Sequence, residues 1–304
     1  MIDYYESKLN YEELVMKKLR TITYKSSSPF VNMGEIRLRQ PIPNDEIEQV
    51  DPFILLHHYG PYAISEFNNP FDLGPHPHRG FEPITLLFKG EQLHRDSLGN
   101  EMLVKAGDVQ WTTAGRGIIH AEGPTKEFVL KGGELEGIQL WLNLPASKKM
   151  IPANYQHAKS EIMEVVENDN KNISIKVVAG ALNGKFGAIT AQTSVNVFMG
   201  SSRGDGELEI ELPNYHQAMI YLLDGELIVN DKLNLKKGAI QFSTFDMDGD
   251  AIKIASRGES NFLILSGEPI NEKMVQHGPY VMNSQTEIME AMRDYNQGKM
   301  GYLY

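Results

Sequence analysis

The chain contains no cysteine. That absence removes disulfide frameworks, iron–sulfur clusters and thiolate zinc sites, and leaves nitrogen and oxygen as the metal donors on offer. No apolar run approaches the roughly 20 residues that span a bilayer, and the opening MIDYYESKLNYEELVMKKLR has no apolar centre of signal-peptide length. A protein without a membrane partner, located in the cytoplasm, is the expectation. Positive charge is also scarce: 29 Lys and Arg stand against 40 Asp and Glu, for a net charge of -11. Such a surface does not neutralise phosphates, so a direct nucleic-acid partner is not expected.

What the sequence does contain is a succession of short apolar or alternating runs ended by Gly, Asn and Asp: FVNMGEIRLRQ, PITLLFKGEQL, EMLVKAGDVQWTT, GIQLWLNL, ISIKVVAG and AMIYLLDGELIV. Runs of this kind specify strands of a sandwich or barrel, and the fold class is mainly β. A weak repeat divides the chain. LLFKGEQL resembles LLDGELIV when Gly90 is set on Gly225, and each is followed by a second similar signal, VKAGDVQ around Gly107 and LKKGAIQF around Gly238. The expected organisation is an N-terminal helical extension (1–20), a first β domain (21–145), a polar linker (146–160), a second β domain (161–270) and a tail (271–304). In that tail Ser284 caps a helix whose Ile288, Met289 and Met292 form a packing stripe.

Chemistry concentrates in the first copy. In GPHPHRGFE, His76 and His78 are two residues apart, and Pro75 and Pro77 hold the segment extended. Residues i and i+2 of an extended segment share a face about 6 to 7 Å apart, so both imidazoles can meet one ion. In TAGRGIIHAEGP, His120 and Glu122 repeat the spacing. Three imidazoles and a carboxylate suit Fe(II), Mn(II), Ni(II), Cu(II) or Zn(II). The second copy has Glu211, Pro213, Ala251 and Lys253 at the aligned positions, so one divalent metal per chain is expected. Other residues receive plainer readings. His94 is read as a solvated loop residue, His57 and His58 as packing and hydrogen-bonding groups, His216 as structural, and Trp111 and Trp141 as core. Arg79 is expected to fix a nearby carboxylate or carbonyls, and Gly115–Gly117 to form a tight turn.

The paired motifs resemble those of the cupin superfamily, and HPHRGFE with GDVQWTTAGRGIIHAEGP, GIQLWLNLP, VDPFILLHHYGP and GPYVMNSQTEI is similar to the pirin family. The likeness runs from about Phe30 to the C-terminus. It implies a bicupin, two tandem β-barrels with short helical segments at the N- and C-terminal ends. It also implies a metal, Fe(II) as the expected ion, held in the first barrel by His76, His78, His120 and Glu122. Glu82, a ligand position in many other cupins, is then expected beside the metal as a proton acceptor. The activity implied is a dioxygenase that opens the ring of quercetin-type flavonols with O₂, with Glu122 or Glu82 taking the hydroxyl proton of this small aromatic substrate. The alternative implied is a metal- and redox-dependent binding protein with a protein partner and no turnover. A roomy cavity beside the ion distinguishes the first from the second.

Overall fold

The computed structural model describes residues 17–303; residues 1–16 of the expected N-terminal helix lie outside them. Every run named above forms strand, and all named strands pair antiparallel. The first barrel consists of two sheets. One has seven strands in the order Asn154–Ala158, Val109–Thr113, Phe81–Lys89, Gly133–Asn143, Phe53–Ile64, Ile36–Ile42, Phe30–Met33. The other has four, Leu73–His78, Ile118–Gly123, Glu91–Asp96 and Glu101–Lys105. The second barrel is a nine-stranded sheet built around the long strands Val195–Glu211 and Ala251–Gly267.

The repeat is real in three dimensions. Gly90 and Gly225 each link a core strand to the strand that follows it at φ 81° and 86°, and Gly107 and Gly238 turn at 88° and 79°. Only glycine adopts these values without strain. The two barrels are joined by a shared core in which Phe53, Ile84, Leu86, Leu140 and Leu142 meet Val197, Met219, Tyr221, Phe242 and Leu263. Strand Phe81–Lys89 is therefore buried on both faces over most of its length, Leu87 pointing into the first barrel while Ile84 and Leu86 point at the second.

Three expectations need correction. Strand Ile22–Ser26, assigned to the first domain, pairs with Phe242–Phe245 in the second sheet. Asn154–Ala158, assigned to the linker, is an edge strand of the first sheet paired with Val109–Thr113. In the tail, Ser284 does cap helix Gln285–Asn296 by accepting from the Glu287 N–H at 3.3 Å, but the buried face is Ile288 and Ala291. Met289 and Met292 are exposed: Met289 lies about 100° around the helix from Ile288, and Met292, about 40° to the side of Ile288 away from Ala291, stands at the edge of the buried face. The helix, with Tyr280, Met282 and Met300, packs on Ile119 of the first barrel. Strand Ile22–Ser26 and the C-terminal helix thus each join the barrel remote from them in sequence order.

Candidate metal centre

Strands Leu73–His78 and Ile118–Gly123 run antiparallel with His78 opposite Ile118 and His76 opposite His120. His76, His78 and His120 consequently share one face, with ring centroids 4.4 to 5.0 Å apart. One ligating atom from each lies within 4.8 Å of the others. The pairing then slips, so that Glu122 falls opposite Leu73 rather than one residue later. On its other edge the same strand keeps register, with His120 opposite Asp96 and Glu122 opposite His94. Two close groupings therefore overlap at His120: His76, His78 and His120 form one, and His94, His120 and Glu122 the other, with Glu122 lining the same cavity as the first three.

The imidazoles are prepared for a metal. His76 Nδ1 donates to the Gly74 carbonyl at 2.8 Å, which leaves Nε2 with its lone pair. Burial, reinforced by His76, pulls His78 down to about 3. Burial and the neighbouring histidines hold His120 far below the usual imidazole range. Neutral rings are the ligating form. His78 Nδ1 and both nitrogens of His120 are buried without a hydrogen-bond partner. An orphaned donor or acceptor costs about 1–3 kcal/mol, a cost that a bound cation removes, so these residues fit a first-row divalent ion. His120 Nδ1 lies 3.1 Å from Glu122 Oε1 without hydrogen-bonding alignment. Glu122 Oε2 accepts from Gln92 Nε2 at 3.1 Å and Thr85 Oγ1 at 3.4 Å, leaving Oε1 as the unshared acceptor.

The three histidines and Glu122 line a cavity of about 680 Å³ walled by Leu38, Leu55, Phe71 and Trp141, with His57, Gln92 and Gln139 as further polar groups. Trp141, expected in the core, instead packs on Phe81 and His78 and faces this space. His57 also lines it, donating from Nε2 to Gln40 Oε1 at 2.6 Å. His58 is a bridge between barrels: Nε2 faces Glu136 at 3.3 Å, and Nδ1 accepts from the Tyr221 hydroxyl at 2.7 Å.

Glu82 does not reach the cavity. Alternation along its strand places it with Ile84 and Leu86 on the face toward the second barrel, opposite to Thr85. There its Oε1 accepts from Thr113 at 2.6 Å, and burial raises its pKa. His94, read as a loop residue, is fully buried. Its ring stacks on Tyr155 at 4.2 Å and its Nε2 faces Asp96 Oδ2 at 3.1 Å. The alternation Gln92, His94, Asp96 in GEQLHRD was the available signal: at period 2 all three share the buried face of their strand.

The segment after His78 is clamped by distant elements. Arg79 donates from Nε to the Arg116 carbonyl at 2.6 Å and from Nη1 to Asp294 at 3.1 Å. Lys149 is buried, donating to the carbonyls of Gly80 and Val281 and to Asn143 at 2.6 to 3.0 Å. Burial lowers its pKa to about 7. The second barrel has no counterpart to the histidine cluster among the described residues. Its interior is filled by Phe198, Leu222, Ile252, Phe262 and Ile264.

Two antiparallel barrels in tandem, one holding a histidine cluster at the wall of an apolar cavity, define a two-domain protein of the cupin class. The family profiles described as Pirin and Pirin C-terminal cupin domain match residues 35–142 and 200–301. The chain belongs to the pirin family. The pirin-like protein of Solanum lycopersicum is 32% identical over 291 residues, 95% of each chain. Among solved structures, quercetin 2,3-dioxygenase from Acinetobacter baumannii is 31% identical with a TM-score of 0.86, covering 94% of this chain and 100% of its own. A bacterial pirin from Escherichia coli, solved in complex with nickel(II), shares the fold at 18% identity and a TM-score of 0.64, over 82% of this chain and 100% of its own.

Proposed function

We propose that this protein is a mononuclear metal-dependent dioxygenase that opens the ring of quercetin-type flavonols. The observation that carries the reading is the cluster of three imidazoles on the wall of a cavity of about 680 Å³, a volume that takes a flat, drug-sized aromatic. The likeness to the Acinetobacter dioxygenase supports it. A binding protein without turnover has no need of such a space.

In this reading His76, His78 and His120 hold one divalent ion, Fe(II) foremost, and Glu122 beside His120 completes the set. When bound, the ion supplies a Lewis acid for the ionised hydroxyl and the redox capacity for reaction with O₂. The chain does the rest. Leu38, Leu55, Phe71 and Trp141 hold the rings flat and exclude water. Thr85 and Gln92 anchor Oε2 of Glu122, so that Oε1 takes the substrate's hydroxyl proton. The test is oxygen uptake with quercetin after anaerobic loading with Fe(II). Uptake is expected to depend on the metal and to vanish in His120→Ala. Protein fully loaded with Fe(II), Mn(II), Ni(II) or Cu(II) that consumes no oxygen would overturn the reading.

A further inference from the structure

We propose that His94, His120 and Glu122 form a second, alternative cation position that shares His120 with the cluster of His76 and His78. The proposal concerns metal binding only and is independent of any turnover. Ligating atoms of the three residues lie within 4.8 Å of one another. They come from one sheet face, Glu122 and His94 being directly opposed across strands Ile118–Gly123 and Glu91–Asp96.

The state of each donor is set by its neighbours. Asp96 acts as an acceptor: Oδ1 takes the N–H groups of Leu98 and Asn100 at 2.9 and 3.1 Å, and Oδ2 takes Asn100 Nδ2 at 2.8 Å with a lone pair to spare. Facing that carboxylate at 3.1 Å, His94 Nε2 carries the proton and donates. Nδ1 of the same ring therefore presents a lone pair. It is buried and no donor of the described residues meets it. Stacking on Tyr155 prevents the ring from swinging away. Glu122 has one oxygen engaged by Thr85 and Gln92 and the other 3.1 Å from His120 Nδ1. Two adjacent donors at about 2.1 Å from one first-row ion stand about 3 Å apart, so this separation is that of a chelating pair. Two imidazoles and a carboxylate form the facial set that suits Fe(II) and similar ions.

Because His120 belongs to both sets, the second position is occupied when the first cannot hold the ion. The test is a Co(II) titration of the whole chain followed by visible absorption and metal analysis. In a His76→Ala, His78→Ala double variant, one Co(II) per chain is expected to bind, more weakly than to the unaltered protein. Adding His94→Ala should abolish that binding, and adding Asp96→Asn instead should weaken it about tenfold or more. In the otherwise unaltered chain, His94→Ala should leave the tight ion in place. A double variant with native circular dichroism that takes up no Co(II), or one whose binding survives His94→Ala, would refute the second position. If the double variant does not fold, a His76→Leu, His78→Leu double variant, which keeps more of the buried volume and also removes both imidazoles, carries the same comparison.

Discussion

At the residue scale, the chemistry depends on keeping imidazoles neutral, and burial does so at a cost in acid. Burial depresses His57 to about 4 and His78 to about 3, and with Arg20 it lowers His216 to about 4. Once unfolded, each protonates near 6.5. The unfolded chain then binds more protons than the folded one between that value and the depressed ones. The stability these residues contribute is complete above about pH 6.5 and is lost as pH falls from there toward about 3. We expect the melting temperature of the metal-free protein to decline across this window. The difference between it and His216→Gln should narrow as pH falls, and a difference that stays constant from about pH 7 to about pH 4.5 would contradict the assignment. Part of this was legible beforehand. His76, His78, His120 and Glu122 could be singled out because period 2 is a local rule. His94 was misjudged because its burial depends on Tyr155, a distant residue that stacks on its ring, although the alternation with Gln92 and Asp96 already turned it inward.

At the element scale, the segment His78–Gly80 is held by the tail as much as by its own sheet. Arg79 N–H reaches the Pro279 carbonyl, the Val281 N–H returns to the Arg79 carbonyl, and Lys149 ties Gly80 to Val281. Gly80 sits at φ 87°, and a Cβ there would meet the Val281 carbonyl oxygen at 2.0 Å. Gly80→Ala must therefore push the tail off the barrel as well as strain the backbone. We expect a loss of about 3 kcal/mol or more in denaturant unfolding, with weakened Co(II) binding because His78 is the next residue but one. Full retention of both would show that the tail does not position the ligand strand. The helix and its Ser284 cap were readable from sequence, since capping is local. Which of its side chains faced inward was not, because that depends on where the barrel surface lies.

At the scale of the whole molecule, the two barrels do not stand as separate units. Their largest core contains residues of both, His58 and Tyr221 bond across it, and strand Ile22–Ser26 leaves the first barrel's side of the chain to extend the second's sheet. Unfolding either barrel alone would expose the shared apolar face of the other. Scanning calorimetry is accordingly expected to record one transition whose van't Hoff and calorimetric enthalpies agree. Two resolved transitions would show that the shared core is too weak to couple the barrels.

By itself the sequence determined that the protein is β, that it repeats, that no thiolate is on offer to a metal, and that the closely spaced His76/His78 and His120/Glu122 pairs fall in the first copy. These follow from composition, period and spacing, which act over a few residues. Tertiary structure alone decided that Glu82 faces away from the cavity, that buried His94 joins His120 and Glu122, and that strand Ile22–Ser26 and the C-terminal helix each join the barrel remote from them. Those outcomes rest on sheet register and on contacts between residues far apart in the chain. A one-residue slip in pairing redirects a side chain without any trace in the local pattern.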